Sequence, residues 1–113
     1  MNQAQIDFQQ LRIKHILFKS KVRSVLYGGT YDANFFSNHG PVNVWFNSVG
    51  LSKYRDLPEM QSLLQVHQEL NSTTNLLISR YQSGKIEQAH EGLSKIDELS
   101  EKFLDLLAKL EGK

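Results

Sequence analysis

A chain of 113 residues is one domain's worth, long enough to bury a modest core but too short for two independent ones. With 40% apolar and 22% charged residues, and 13 basic against 12 acidic side chains, the chain offers no overall field that would draw nucleic acid or a membrane surface. Cysteine is absent, which excludes disulfides and thiolate ligands, and no secretion signal or run of about eighteen apolar residues is present; the expectation is a cytoplasmic protein without membrane insertion.

In the first stretch, Gln3 to Tyr27, the positions Phe8, Leu11, His15, Phe18, Val22 and Val25 recur at three- and four-residue steps and predict one face of a long helix ended by Gly28 and Gly29. The basic cluster Lys14, Lys19, Lys21 and Arg23 reads as a solvated face of that helix. Thr30 to Leu57 is irregular. Pro41 suits a first helical turn because its missing N–H would have had no partner there, so a short helix is expected over Val42 to Ser48, with Trp45 and Phe46 turned inward.

Pro58 marks the next start, with Asp56 as an expected cap and Glu59 in the first turn, where a negative charge opposes the helix dipole favourably. The inner stripe of this helix is Met60, Leu63, Leu64, His67, Leu70, Thr74, Leu77, Ile78 and Tyr81, and Ser83-Gly84 closes it. A last helix follows at once, with Ile86, Ala89, Leu93, Ile96, Leu99, Phe103, Leu106, Leu107 and Leu110 on its inner face. So short a link forces the last two helices into an antiparallel hairpin. No strand signal competes. The predicted fold is all-α, a single domain over 1–113: an antiparallel four-helix bundle with one short helix in an irregular segment.

Two histidines, His15 and His67, occupy slots in apolar stripes that the pattern would otherwise give to leucine or isoleucine, so both are expected to point into the bundle. A buried imidazole needs partners for two nitrogens. A metal ion on one and a hydrogen bond on the other would supply them, as would a hydroxyl or carbonyl without any metal. His39 lies in the irregular segment, at a position free to reach inward, whereas His90 falls beside the last stripe and is expected at the surface or boundary.

These elements resemble the chemoreceptor zinc-binding domain, a family found on bacterial chemotaxis receptors, beside diguanylate cyclases and as stand-alone proteins. The likeness runs along nearly the whole chain. His15-Ile16-Leu17-Phe18 is similar to the family's His-x-x-Trp/Phe element on the first helix. Gly40-Pro41-Val42-Asn43-Val44-Trp45-Phe46 resembles its Cys-x-Leu/Phe-Gly-x-Trp hallmark, and Gly50 to Tyr54 its Gly-x-x-x-Tyr continuation. Leu57-Pro58-Glu59-Met60 resembles the start of the next helix, His67 to Asn71 stands where the family has His-x-x-x-His, and Ser83-Gly84-Lys85 through Leu110 is similar to its last helix.

The resemblance implies zinc held by three histidines and the hallmark cysteine. Two of those positions keep their ligand here, His15 and His67, while Gly40 replaces the cysteine and Asn71 the second helical histidine. Two arrangements stay open at this point. In one, His39 swings into the vacated cysteine position, and water or Asn71, a weak ligand, completes a zinc site with His15 and His67. In the other the interior is metal-free, and both imidazoles hydrogen-bond to Asn71 or to a buried water.

The function implied by the resemblance is a bacterial sensory or regulatory module of signal transduction, without enzymatic activity, that acts through a protein partner and pairs as a homodimer. The alternative is a structural or dimerisation module that has lost the ligand. An apolar flank away from the inner stripes, Ile13, Leu17 and Leu76, is the expected patch for pairing. A metal-assisted hydrolase is disfavoured because Glu69 falls on the side of its helix opposite the stripe, leaving the histidines without an acid or base.

Overall fold

The computed structural model describes residues 2–113. Helix α1 runs Gln3–Leu26 and opens on a reciprocal cap, in which the Asn2 side chain accepts from the Gln5 N–H while the Gln5 side chain accepts from the Asn2 N–H. Its inner face buries Phe8, Leu11, His15, Phe18, Val22 and Val25 as the periodicity predicts, together with Asp7 and Leu26. Gly28, at φ +97°, turns the chain out of the helix.

The irregular segment returns to helix at Pro41. Helix α2 covers Pro41–Trp45, a π-helical turn covers Phe46–Gly50, and α3 covers Leu51–Lys53, so the short helix is longer than Val42 to Ser48 and is wound loosely at its centre. Val42, Trp45, Phe46 and Gly50 share its buried side. Trp45 and Phe46 lie edge to face with centroids 5.4 Å apart.

Helix α4 spans Pro58–Gln82. Leu57 takes the cap position with no side-chain hydrogen bond, so Asp56 does not cap it. Met60, Leu63, His67, Leu70, Thr74, Leu77 and Ile78 are buried, with Leu64 and Tyr81 partly buried against them. The single last helix expected from Ile86 is two pieces, α5 over Ile86–Glu91 and α6 over Leu93–Glu111. The break falls at Gly92, where Leu77 packs into the space a side chain would fill: an added methyl would lie 2.1 Å from Leu77 Cδ2. The first residue of the predicted stripe, Ile86, is exposed rather than buried, and α5 packs on α4 through Ala89 instead.

The long helices α1, α4 and α6 form the body, with α6 packed on both others. Pairings fix the directions: Glu59 near the start of α4 meets Lys113 after α6 at 3.2 Å, while Arg12 on α1 pairs with Glu111 and Lys19 with Asp97 (3.1 Å). Both α1 and α4 therefore run antiparallel to α6. The short helical segment leans on α1, and its clasp is Asp7, which is almost wholly buried. The Asp7 carboxylate accepts hydrogen bonds from Tyr54 Oη (2.6 Å), Gln3 Nε2 (2.9 Å) and Lys53 Nζ (3.1 Å), and its backbone carbonyl accepts from Trp45 Nε1 (3.2 Å). One turn of α1 thus ties down both ends of the segment that carries the tryptophan.

Candidate functional site: the buried histidine pair

The core has two imidazoles at its centre. His15, on α1, has no exposed surface, and His67, on α4, is 1% exposed. Their rings share Phe103 of α6: His15 stacks on it at 4.1 Å and 7°, while His67 meets it edge to face at 6.2 Å. Phe18 (5.2 Å) and Phe46 (5.9 Å) close the other sides of His67. The two histidines named from the stripes do therefore meet within one aromatic box, each brought in by the three- and four-residue period of its helix.

The box holds both rings neutral. Burial is the main cause; it brings His15 down to about 4, with Lys19 and Arg12 adding positive charge nearby, and His67 down to about 3, with His15 contributing. His15 Nε2 lies 2.8 Å from Ser100 Oγ on α6, a buried contact. Among the described residues neither Nδ1, of His15 or of His67, has a hydrogen-bond partner, and nor does Thr74 Oγ1 two turns along α4. For His15, a proton on Nε2 donated to the serine leaves only an acceptor lone pair on Nδ1 unanswered, a smaller loss than a buried N–H without an acceptor.

The remaining positions fall differently. Gly40 and Asn71 line one narrow crevice with His67, walled by Phe18, Phe35 and Val42 and too tight to admit a water molecule. His39 does not join them: it is exposed, in a turn where its backbone N–H donates to Ser37 Oγ at 3.0 Å. His90 is half-buried, stacked on Tyr27 at 4.1 Å with Nε2 against the Leu26 carbonyl, so it latches the end of α1 to α5.

Tested against a zinc ion, the donor set falls short. Such a site takes three or four protein ligands at about 2 Å. Here His15 Nε2 is engaged by Ser100, the crevice leaves no room for a completing water, and among the described residues no three His, Asp or Glu side chains are grouped to hold one ion. Nor is there room for a side chain at position 40. A methyl group added at Gly40 would stand 2.1 Å from the Phe35 carbonyl oxygen and 3.2 Å from that of Ser37, so the turn before α2 has closed over the spot.

Periodicity did not single out Ser100 or Asp7. Ser100 lies one residue beyond Leu99 and three before Phe103, so a small hydroxyl on the inner side of α6 was readable as a partner for a buried ring. Asp7 shares the line Leu11, Phe18 and Val25 on α1, where a carboxylate signals a buried polar knot. Compared with protein-family models, with curated proteins and with solved structures, the chain matches none of them. Among the described residues, no helix is long and apolar enough to cross a membrane.

Proposed function

We propose that this chain is a non-catalytic interaction module of signal transduction, built on the chemoreceptor zinc-binding pattern but working without the ion. The observation that carries the reading is the engagement of the first-helix imidazole: His15 Nε2 is satisfied by Ser100 Oγ, a protein hydroxyl, where the family pattern would direct it to metal. Supporting it, the turn at Phe35 to Ser37 occupies the direction a residue-40 side chain would take, and His39 stays in solvent. An enzymatic role finds no support in the groups around the rings. Phe18, Phe46 and Phe103 pack against them, Ser100 bonds His15, Asn71 lines the crevice beside His67, and Glu69 is exposed. His15 and Ser100 pair a neutral imidazole with a hydroxyl, but both are buried beyond the reach of a substrate, so the box can rigidify a bundle, and its outer faces are left to carry the interaction.

The deciding experiment is calorimetric titration with zinc at neutral pH, paired with elemental analysis of protein purified without chelator and melting curves with zinc or with EDTA. The expected result is no stoichiometric zinc and less than about 1 °C between the two curves. Binding of one zinc per chain with a large upward shift in Tm, lost in His15→Ala and His67→Ala, overturns the reading.

A further inference from the structure

Helix α1 is apolar on two sides. Opposite the buried stripe, Ile6, Ile13, Ile16 and Leu17 stand exposed, Ile13 by 67%, and the line continues through Ser20 and Ser24 to Tyr27. At 1.5 Å per residue this strip is about 30 Å long. Its borders are basic. Lys14 and Lys21 run along one side and Arg23 along the other, where Arg12 and Lys19 are already paired with Glu111 and Asp97 of α6, and α1 contributes a single carboxylate, Asp7, which is buried on the far face. Among the described residues, Lys14, Lys21 and Arg23 have no carboxylate within ion-pair distance.

We propose that the outward face of α1 is the docking surface for an amphipathic helix of a partner protein, one whose apolar stripe is bordered by aspartate and glutamate. Charge selects this occupant. A second copy packing α1 against α1 would bring the unpaired Lys14, Lys21 and Arg23 of both chains to one seam with no carboxylate of α1 to answer them, which costs energy and specificity. Among the described residues the rest of the chain offers that copy no alternative apolar strip. Outside α1 and the adjoining Tyr27, the exposed large apolar side chains among the described residues are Tyr31, Val44, Leu76 and Ile86, each on a different segment, and α6 presents none. A lipid surface fits less well, since a membrane-lying face takes bulky tryptophan, phenylalanine and leucine, whereas Ser20 and Ser24 sit in this strip and the one tryptophan is buried. Small residues suit the close approach of another helix. The proposal deepens the interaction-module reading and rests on it, although the zinc titration tests that reading separately.

The test uses a stapled helical peptide of about three heptads, with Leu at the a and d positions and Glu at e and g, and a control with Lys at e and g. Binding is read by fluorescence anisotropy at two salt concentrations. The expected result is micromolar affinity for the Glu peptide, weakened by salt, at least tenfold weaker for the Lys peptide, and lost in Ile13→Glu/Leu17→Glu. Those positions are exposed, and an unchanged melting curve for the variant shows that the fold is intact. Absence of binding, equal affinity for both peptides, or an unaffected double variant overturns the proposal. So does preferential binding to phosphatidylserine vesicles, or a dimeric mass that the double variant abolishes.

Discussion

His15 Nε2 and Ser100 Oγ, 85 positions apart in sequence, meet at 2.8 Å in the middle of the core and join α1 to α6 through a side-chain contact with no access to water. Removing one member strands the other. Ser100→Ala should cost about 1 to 2 kcal/mol, because the imidazole keeps its desolvation penalty and loses its only partner. His15→Leu/Ser100→Ala removes both polar groups and should recover much of that loss. Urea denaturation of the two variants checks this, and equal losses would mean that the contact is not what the serine contributes.

Acid should weaken the fold well before the carboxylates titrate. Both imidazoles are held far below the ordinary histidine value in the folded chain, to about 4 and about 3, while the unfolded chain titrates near 6.5. The unfolded state therefore takes up protons first as pH falls. Stability is fully present above about 6.5 and declines below it, by about 2 kcal/mol per ring at pH 5. Denaturation midpoints measured from pH 7.5 to 5 test the slope; it should flatten in His67→Leu.

Asp7 makes a second, more acidic limb. Burial alone would raise its carboxyl, but the hydrogen bonds from Tyr54, Gln3 and Lys53 outweigh it and hold it below the usual carboxylate range. A depressed acid stabilises at neutral pH, and the contribution is lost as pH drops through its folded-state value. The Tyr54 phenol is pushed the other way, up to about 12, by burial and by the same carboxylate. Asp7→Asn should cost about 1 to 3 kcal/mol at pH 7 and much less near pH 2, and should bring the Tyr54 titration down. Chemical denaturation at the two pH values and ultraviolet titration of the phenol report the two effects.

Gly40→Ala should destabilise by about 1 to 3 kcal/mol, since the new methyl meets backbone oxygen rather than a side chain able to swing away. For the same reason Gly40→Cys/Asn71→His, which introduces the residue types of the chemoreceptor zinc-binding pattern, should not acquire zinc. Tight zinc binding by that double variant would show that the turn at Phe35 to Ser37 gives way easily.

The long helices and their inner faces were legible because a three- and four-residue apolar rhythm leaves few other solutions, and His15 and His67 were caught by that rhythm. It carried less information where the rhythm stops. His39 lies in a turn whose direction is set by backbone hydrogen bonds around Ser37, so its sequence neighbourhood did not say which way it would face. Ile86 keeps the phase of the last stripe but is the first residue of a short separate helix that buries Ala89 instead. The break at Gly92 depends on the position of Leu77 on another helix, a relationship that periodicity does not encode.

The distance along the chain between His15 and Ser100 also bears on synthesis. At about 5 to 20 residues per second, a ribosome that has just made the first of the pair needs on the order of five to fifteen seconds to make the second. During that interval the short helical segment and α4 can cover part of the first helix's oily inner side, and completion of the core waits for the final segment to emerge.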